Sequence, residues 1–299
     1  MKCIICNGST WEYLFPVHDR MFGIAGKFSE YRCKRCGLVR LSPKLSETGV
    51  KKYYPSASYY SYSGTSKPTF FGNLRSYLIT HRWSRFFIRV PAIPEGNPGR
   101  ILDVGCGSGS TLVLLRTLGW DVFGLDIDKQ AIRAARKRGL TNVSLGSYED
   151  AIKYPDNYFD VIRLYHVIEH LGEPERCLRL IYKKLKRGGQ ILIGTPNVSS
   201  IIPKLFGPYW YNLDAPRHLY LFSPKTLSIL LKRCSYTDAK VRFASAGGWV
   251  GSMQYVISER TSHKAHWINI PWLVILLYPL EWLLDRFGLG DVFVVSAMK

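Results

Sequence analysis

Three sets of residues in this 299-residue chain could do chemistry, and each is defined by its spacing. Cys3 and Cys6, then Cys33 and Cys36, form two C-x2-C pairs with residues 7–32 between them. Two such turns can bring four thiolates into a tetrahedron around zinc. With all four positions filled by protein, that metal would be closed to substrate. It would be structural, stabilising a segment too small to fold by itself. Cys106, Cys177 and Cys234 have no partner at such spacing and read as core or loop residues.

The second set lies in ILDVGCGSGS, residues 101–110. Apolar β-formers empty into a loop with glycine at 105, 107 and 109. Such a loop turns sharply and lets a ligand approach without meeting a Cβ. The spacing is G-x-G-x-G, whereas a dinucleotide fingerprint places its third glycine one residue later, which disfavours NAD. Asp103 precedes the loop. Asp126 closes GLDID, where a carboxylate at a strand end can accept both hydroxyls of a ribose, while Asp128 or Ser144 would serve as helix caps.

The third set is histidine-rich: HVIEH at 166–170 and DAPRHL at 214–219. Imidazole titrates near neutral pH, so His166, His170 and His218, with Glu169, are the candidate bases. HVIEH also fits an H-x-x-E-H metalloprotease pattern, but it follows a strand rather than lying on a helix. Asp214, Arg217 and His218 are the expected substrate-side residues. Replacing His218 by Ala should lower turnover while leaving cofactor affinity intact.

These residues need elements to hold them. From residue 100 strands and helices alternate: RILDVG, a helix after Ser110, DVFGLDI, a helix over Lys129 to Arg138 stopped by Gly139, TNVSLGS, and NYFDVIRLYHV. A helix over GEPERCLRLIYKKLKRGG follows, with Pro174 and acids at its start and Lys183, Lys184, Lys186 and Arg187 at its end. QILIGTP is the next strand, and DVFVVSAMK the last. The alternation predicts an α/β fold, a Rossmann-like, doubly wound, mostly parallel sheet with a small N-terminal zinc-binding module at 1–42. Residues 43–98 read as a connector rich in tyrosine (Tyr53, Tyr54, Tyr59, Tyr60, Tyr62), with a short helix near Ser46 to Tyr54. The connector also holds an amphipathic helix at 73–90 whose Arg75, Arg82, Arg85 and Arg89 share one face. The main domain, 99–299, carries insertions near 196–222 and 245–290.

In that order DVGCGSG, GLDID, YFDVIRLYHVIEHL and LKRGGQILIGTPN resemble the class I S-adenosylmethionine-dependent methyltransferases, over roughly residues 100–245 and the final strand. The resemblance implies S-adenosylmethionine as cofactor, with Gly105, Gly107 and Gly109 against its methionine part and Asp126 on its ribose. Ser147 and Tyr148 would flank the adenine. Asp103, Ile127 and Tyr165 complete the expected cofactor set. HVIEH is similar to the stretch of ubiquinone-biosynthesis O-methyltransferases in which Glu, Glu and His hold a divalent ion, but His166 stands in place of the first Glu. Methyl transfer is an in-line displacement for which orientation supplies most of the acceleration, and a hydroxyl acceptor needs a base as well.

Forty-one Lys and Arg against 22 Asp and Glu leave a formal charge of +19, which predicts attraction to an anionic partner. The segment IPWLVILLYPLEWLL, 270–284, is too short and interrupted to span a bilayer, and the chain must return to its sheet afterwards. It reads as an interfacial or re-entrant helix pair, a substrate lid or core. No signal peptide precedes the first cysteines, which predicts a cytoplasmic protein, peripheral on the inner membrane face. Zinc-knuckle methyltransferases of this arrangement resemble enzymes acting on a small-molecule, sugar or lipid-linked acceptor, at oxygen or carbon. The alternatives are an RNA methyltransferase, which the charge would suit but for the absence of an N-P-P-Y-type sequence after the fourth strand, and a non-catalytic zinc and membrane adaptor with a methyltransferase fold.

Overall fold

Seven strands form the main sheet, side by side in the order Thr237–Phe243, Val292–Met298, Leu185–Pro196, Phe159–Tyr165, Arg100–Val104, Asp121–Asp126 and Val143–Leu145. A computed structural model describes residues 2–54, 93–245, 247–261 and 270–299. The tyrosines at 59, 60 and 62 and the arginine-faced helix expected at 73–90 lie outside these residues. Strands β4 (Arg100–Val104), β5 (Asp121–Asp126), β6 (Val143–Leu145), β7 (Phe159–Tyr165) and β8 (Leu185–Pro196) run parallel, while β10 (Thr237–Phe243) and β11 (Val292–Met298) are antiparallel additions. The chain winds outward from β4 through β5 to β6, then returns to place β7 on the other side of β4. That reversal opens a crevice beyond the carboxyl ends of β4 and its neighbours. The doubly wound sheet expected from the alternation is the observed one.

Local chemistry explains the helices that flank it. After the glycine loop comes α2 (Ser110–Thr117). Asp128 caps α3 (Lys129–Lys137), its side chain accepting from the Ala131 N–H at 2.7 Å. Pro174 opens α4 (Pro174–Lys184), whose missing N–H costs nothing in a first turn. The sequence pattern carried this helix on to Gly188, and the structure ends it at Lys184. Leu185 is extended and fully buried, pairing with Phe159 in the β7–β8 ladder, and Lys186 reaches Asp160 at 2.7 Å from the strand. Burial of Leu185 outweighs the helix propensity of the lysines around it.

The N-terminal segment forms a second, antiparallel sheet of β1 (Trp11–Val17), β2 (Phe28–Cys33), β3 (Val39–Ser42) and β9 (Tyr220–Leu221). The last of these comes from the excursion after β8, pairing Val39 with Leu221 and Arg40 with Tyr220. One core runs through both parts, from Ile5, Phe28 and Leu41 to Phe159, Leu164 and Phe222. Arg233, at the end of α6 (Pro224–Arg233), donates to the carbonyls of Ile4 and Ile5. Thus the cysteine module is built into the body of the larger domain. Ser46 caps the short α1 (Glu47–Lys51) beside it, as its position suggested.

The excursion itself holds α5 (Ile201–Phe206) and two single turns before β9. The second insertion is a helix pair, α7 (Gly248–Thr261) and α8 (Pro271–Arg286). The latter runs without a break through Pro279. No helix among the described residues is long and apolar enough to cross a membrane.

Candidate functional site

At the carboxyl end of β4 the three glycines all take positive φ: 75° at 105, 53° at 107 and 74° at 109. An L side chain is strained there. Packing adds a second demand, since a Cβ on Gly105 would run into Val167 and one on Gly109 into Leu140 and Ala135. Two of the glycines are therefore bare because the fold presses on them, and the loop is held tightly against the ends of β7 and α3.

Asp126 locks this loop to β5. Its Oδ2 accepts from the Gly107 N–H at 2.8 Å and its Oδ1 from the Asp128 N–H at 2.8 Å. Burial pushes its carboxyl up, against the pull of those two N–H groups. Asp103 sits one layer deeper. Both its oxygens meet Nη1 of Arg163, at 2.8 and 2.7 Å, and the pair is buried. Burial raises the Asp103 carboxyl while the guanidinium pulls it back. Asp103 thus faces Arg163 across β4 and β7, a buried ion pair at the base of the loop. Arg163 was the residue missed, though a basic residue in the otherwise uncharged run VIRLY was the available signal.

Of the residues expected around an adenine, Ile127 is exposed at the end of β5. Ser147 caps the turn Tyr148–Lys153, accepting from the Glu149 N–H. Tyr148 turns into the core, where burial pushes its hydroxyl up to about 12. Leu145 is exposed and pairs in register with Asp126 across β5 and β6. Tyr165 lies edge-on to His166 at 4.7 Å and covers Gly194, whose missing side chain makes room for the ring.

The histidines differ in exposure: His166 and His170 are half-buried and His218 is buried. His166 stands at the end of β7 in a left-handed conformation, φ 54°, and its N–H donates to the Gly194 carbonyl at 2.8 Å. Such backbone costs an L residue about 1–3 kcal/mol and is held only where the surroundings demand it. Its Nδ1 lies 3.1 Å from Oε1 of Glu169, which is fully buried and also accepts from the Thr195 hydroxyl at 2.9 Å. Burial alone would raise the Glu169 carboxyl; the His166 hydrogen bond and the nearby imidazoles hold it at about 2. An ionised Glu169 accepts only, so Nδ1 carries the proton and Nε2 is the basic atom, on a side chain 32% exposed.

His218 is buried, and burial pulls it down to about 4, leaving it neutral at neutral pH. Its Nδ1 donates to the Asn212 carbonyl at 3.0 Å, and His170 donates likewise to that of Arg217 at 3.0 Å. Their rings meet edge-on at 4.7 Å. Tyr54, from the connector, reaches His170 at 2.9 Å. Glu169, His170 and His218 each bring one ligand atom within 4.8 Å of the others and so could hold a cation. His166 is outside that set, spent on Glu169.

Arg217 has no exposed surface. It reaches Oδ1 of Asp19 at 2.8 Å, Oδ1 of Asp214 at 2.6 Å and the Tyr53 carbonyl at 3.0 Å. The residues expected to meet a substrate, Asp214 and Arg217, instead rivet the excursion to the N-terminal sheet. The sequence pointed to function because the pair was polar in a loop; Asp19, distant in sequence, makes it a joint.

The four cysteines converge as their spacing required. Cys3 Sγ lies 3.5 Å from Cys36 Sγ, Cys6 Sγ 3.5 Å from Cys33 Sγ, and all four lie within 4.8 Å. Zinc at a sulfur distance of about 2.3 Å sets tetrahedral sulfurs about 3.8 Å apart, so the donor set fits that ion. The Ile5 N–H also points at Cys3 Sγ, 3.4 Å away, as a thiolate would favour.

The arrangement pairs a backbone cradle with a carboxylate at one strand end and an oriented imidazole at the next. Residues 74–240, more than half of the chain, match the family described as methyltransferase domain. Over 141 residues the chain is 30% identical to the ubiquinone/menaquinone biosynthesis C-methyltransferase UbiE of Yersinia enterocolitica, covering 44% of this chain and 55% of that one. It thus spans about half the length of the curated relatives it matches. Phosphoethanolamine N-methyltransferase 2 of Haemonchus contortus, solved with phosphomonomethylethanolamine and S-adenosylhomocysteine, shares the fold at a TM-score of 0.50 and 16% identity, over 86% of this chain and 59% of that one. A SAM-dependent methyltransferase from Archaeoglobus fulgidus gives 0.49 at 24% identity, over 75% and 94% of the two chains.

Proposed function

We propose, from the premise that this chain belongs to the methyltransferase-domain family, that it moves the methyl group of S-adenosylmethionine to oxygen or carbon of a small or lipid-linked acceptor. The glycine loop after β4 takes the methionine part, Asp126 the ribose hydroxyls, and Ile127 and Leu145 flank the adenine. That cofactor would supply an electrophilic methyl on a sulfonium, with a neutral thioether left behind.

The observation that carries the reading is the adjacency of cradle and base. Val167 packs on Gly105, so the His166–Glu169 pair stands directly beside the loop. Buried Glu169, held by Thr195, fixes Nδ1–H and presents Nε2 to accept a proton from the acceptor as it attacks. A phenol or enol gives up its hydroxyl proton in O-methylation and its ring or enol proton in C-methylation, and one imidazole serves either. His170 and His218, turned onto backbone carbonyls, position Glu169 and the excursion. The acceptor class draws support from the printed name of the UbiE relative and from the aromatic residues of the excursion, where Phe206 meets Trp249 and Tyr211 meets Tyr255. Cys3, Cys6, Cys33 and Cys36 hold a structural zinc in this reading.

Labelled methyl transfer to a panel of phenolic, sugar and isoprenoid-linked acceptors tests it. His166→Ala should lower turnover by about 100-fold or more while cofactor affinity stays unchanged. Equal turnover in the variant would remove His166 as the base.

A further inference from the structure

Helix α8 is turned inside out. Its sequence, PWLVILLYPLEWLLDR, contains two acids, and both are buried. Glu281 accepts from the Gly247 and Trp249 N–H groups, closing the start of α7, and Asp285 takes the N–H and hydroxyl of Ser245. Leu276, Leu280 and Leu283, with Phe287 just past the last turn, are 66%, 40%, 46% and 72% exposed. Steps of four, three and four residues set them in one stripe. A helix on a water-facing surface has the opposite pattern.

We propose that this stripe rests on the surface of an anionic lipid bilayer. With both acids turned inward, Arg286 is the one charge the helix offers outward, and it stacks on Trp282 with 5.5 Å between guanidinium and ring. A cation and an aromatic at the margin of an apolar stripe suit the headgroup level. Exposed Lys240 lies on β10, against which α8 packs, and the whole chain carries +19. The helix lies along the interface, since none of the described helices could cross it. A second copy of this chain fits the stripe less well. From Leu276 to Phe287 it is roughly 17 Å long and about 10 Å wide, far below the ~800 Å² per partner of a standard interface. The inference does not rest on the methyl-transfer reading.

The test is flotation of the purified full chain with vesicles of phosphatidylcholine alone or with phosphatidylglycerol. Cofactor binding and light scattering are measured on the same samples. The wild type should float with the anionic vesicles, about tenfold less with neutral ones, and less again in high salt. Leu280→Glu with Leu283→Glu should weaken vesicle affinity by about 100-fold, with S-adenosylhomocysteine affinity retained. Phe287→Ala, beyond the helix end, should cost about tenfold and decides the matter if the double variant does not fold. Three results would overturn the proposal: a wild type that floats with neither vesicle at low salt, variants that float as well as the wild type, or a dimer that the double variant splits while no vesicle is bound. Vesicle binding without any cofactor binding would uphold this surface and sink the methyl-transfer reading alone.

Discussion

The two halves of the crevice are built from different materials. On the β4–β5–β6 side the working parts are backbone: three left-handed glycines and one carboxylate that takes two main-chain N–H groups. On the β7–β8 side they are side chains: Asp19 with Arg217 and Asn212 with Asp291 come from far apart in the sequence, and Glu169 meets His166 across a single turn. The first half is drawn from one strand–helix–strand stretch, residues 105–128. The second exists only once the N-terminal sheet, the excursion and the last helix pair have closed on one another. A binding cradle can be local, whereas the groups that would choose and activate an acceptor here depend on the whole fold.

If that contrast is right, removing charge on the acceptor side should damage stability before it damages binding. Arg217→Ala leaves Asp19 and Asp214 buried without their cation. We expect a loss of about 3–5 kcal/mol in chemical denaturation, the cost typical of breaking a buried ion pair. A variant that folds as well as the wild type but binds acceptor poorly would return Arg217 to a substrate role. The next effect is one of pH. Burial, with Asp291 and Asp285 nearby, pushes Glu281 from an ordinary 4.5 up to about 7. A raised folded-state value means that its share of stability is fully present below about pH 4.5 and is lost as pH rises toward 7, an effect of up to about 3 kcal/mol. Glu281→Gln should flatten that slope in thermal melts between those values; an unchanged slope would show that another group sets it. Smallest is Thr195→Val, which deletes one hydrogen bond to Glu169. Turnover should fall about fivefold, consistent with a bond of about 1 kcal/mol, with cofactor affinity and global stability nearly unmoved.

The same contrast explains what the sequence disclosed. The order of strands and helices, the cysteine cluster, the cap at Asp128 and the cradle at 105–109 were legible because each rests on periodicity or spacing within one segment. Tyr148 shows the limit: its position after β6 marked it for the adenine, but which way the ring turns is decided by the core it packs into, and Leu145 beside it stays exposed. Arg217 shows it again, since nothing near residue 217 announces Asp19 as its partner. The end of α4 was misplaced for a related reason, the burial of Leu185 against β7 overriding the helical preference of its neighbours. His166, Glu169 and Arg163 stood in view in one strand and the turn after it, but which imidazole is enclosed, and which carboxylate each group meets, is settled only by tertiary contact.

Calorimetric titration of the folded, zinc-loaded protein with S-adenosylhomocysteine goes most directly to the central claim, that the glycine loop holds the amino-acid part of the cofactor and Asp126 its ribose. The account predicts saturable binding to one site, and for Asp126→Ala a loss of about 10- to 100-fold in affinity, with a stability loss of about 1–3 kcal/mol from the two main-chain N–H groups left without their acceptor. No heat from the wild type with either S-adenosylhomocysteine or S-adenosylmethionine, or an Asp126→Ala variant that binds as tightly as the parent, would contradict it.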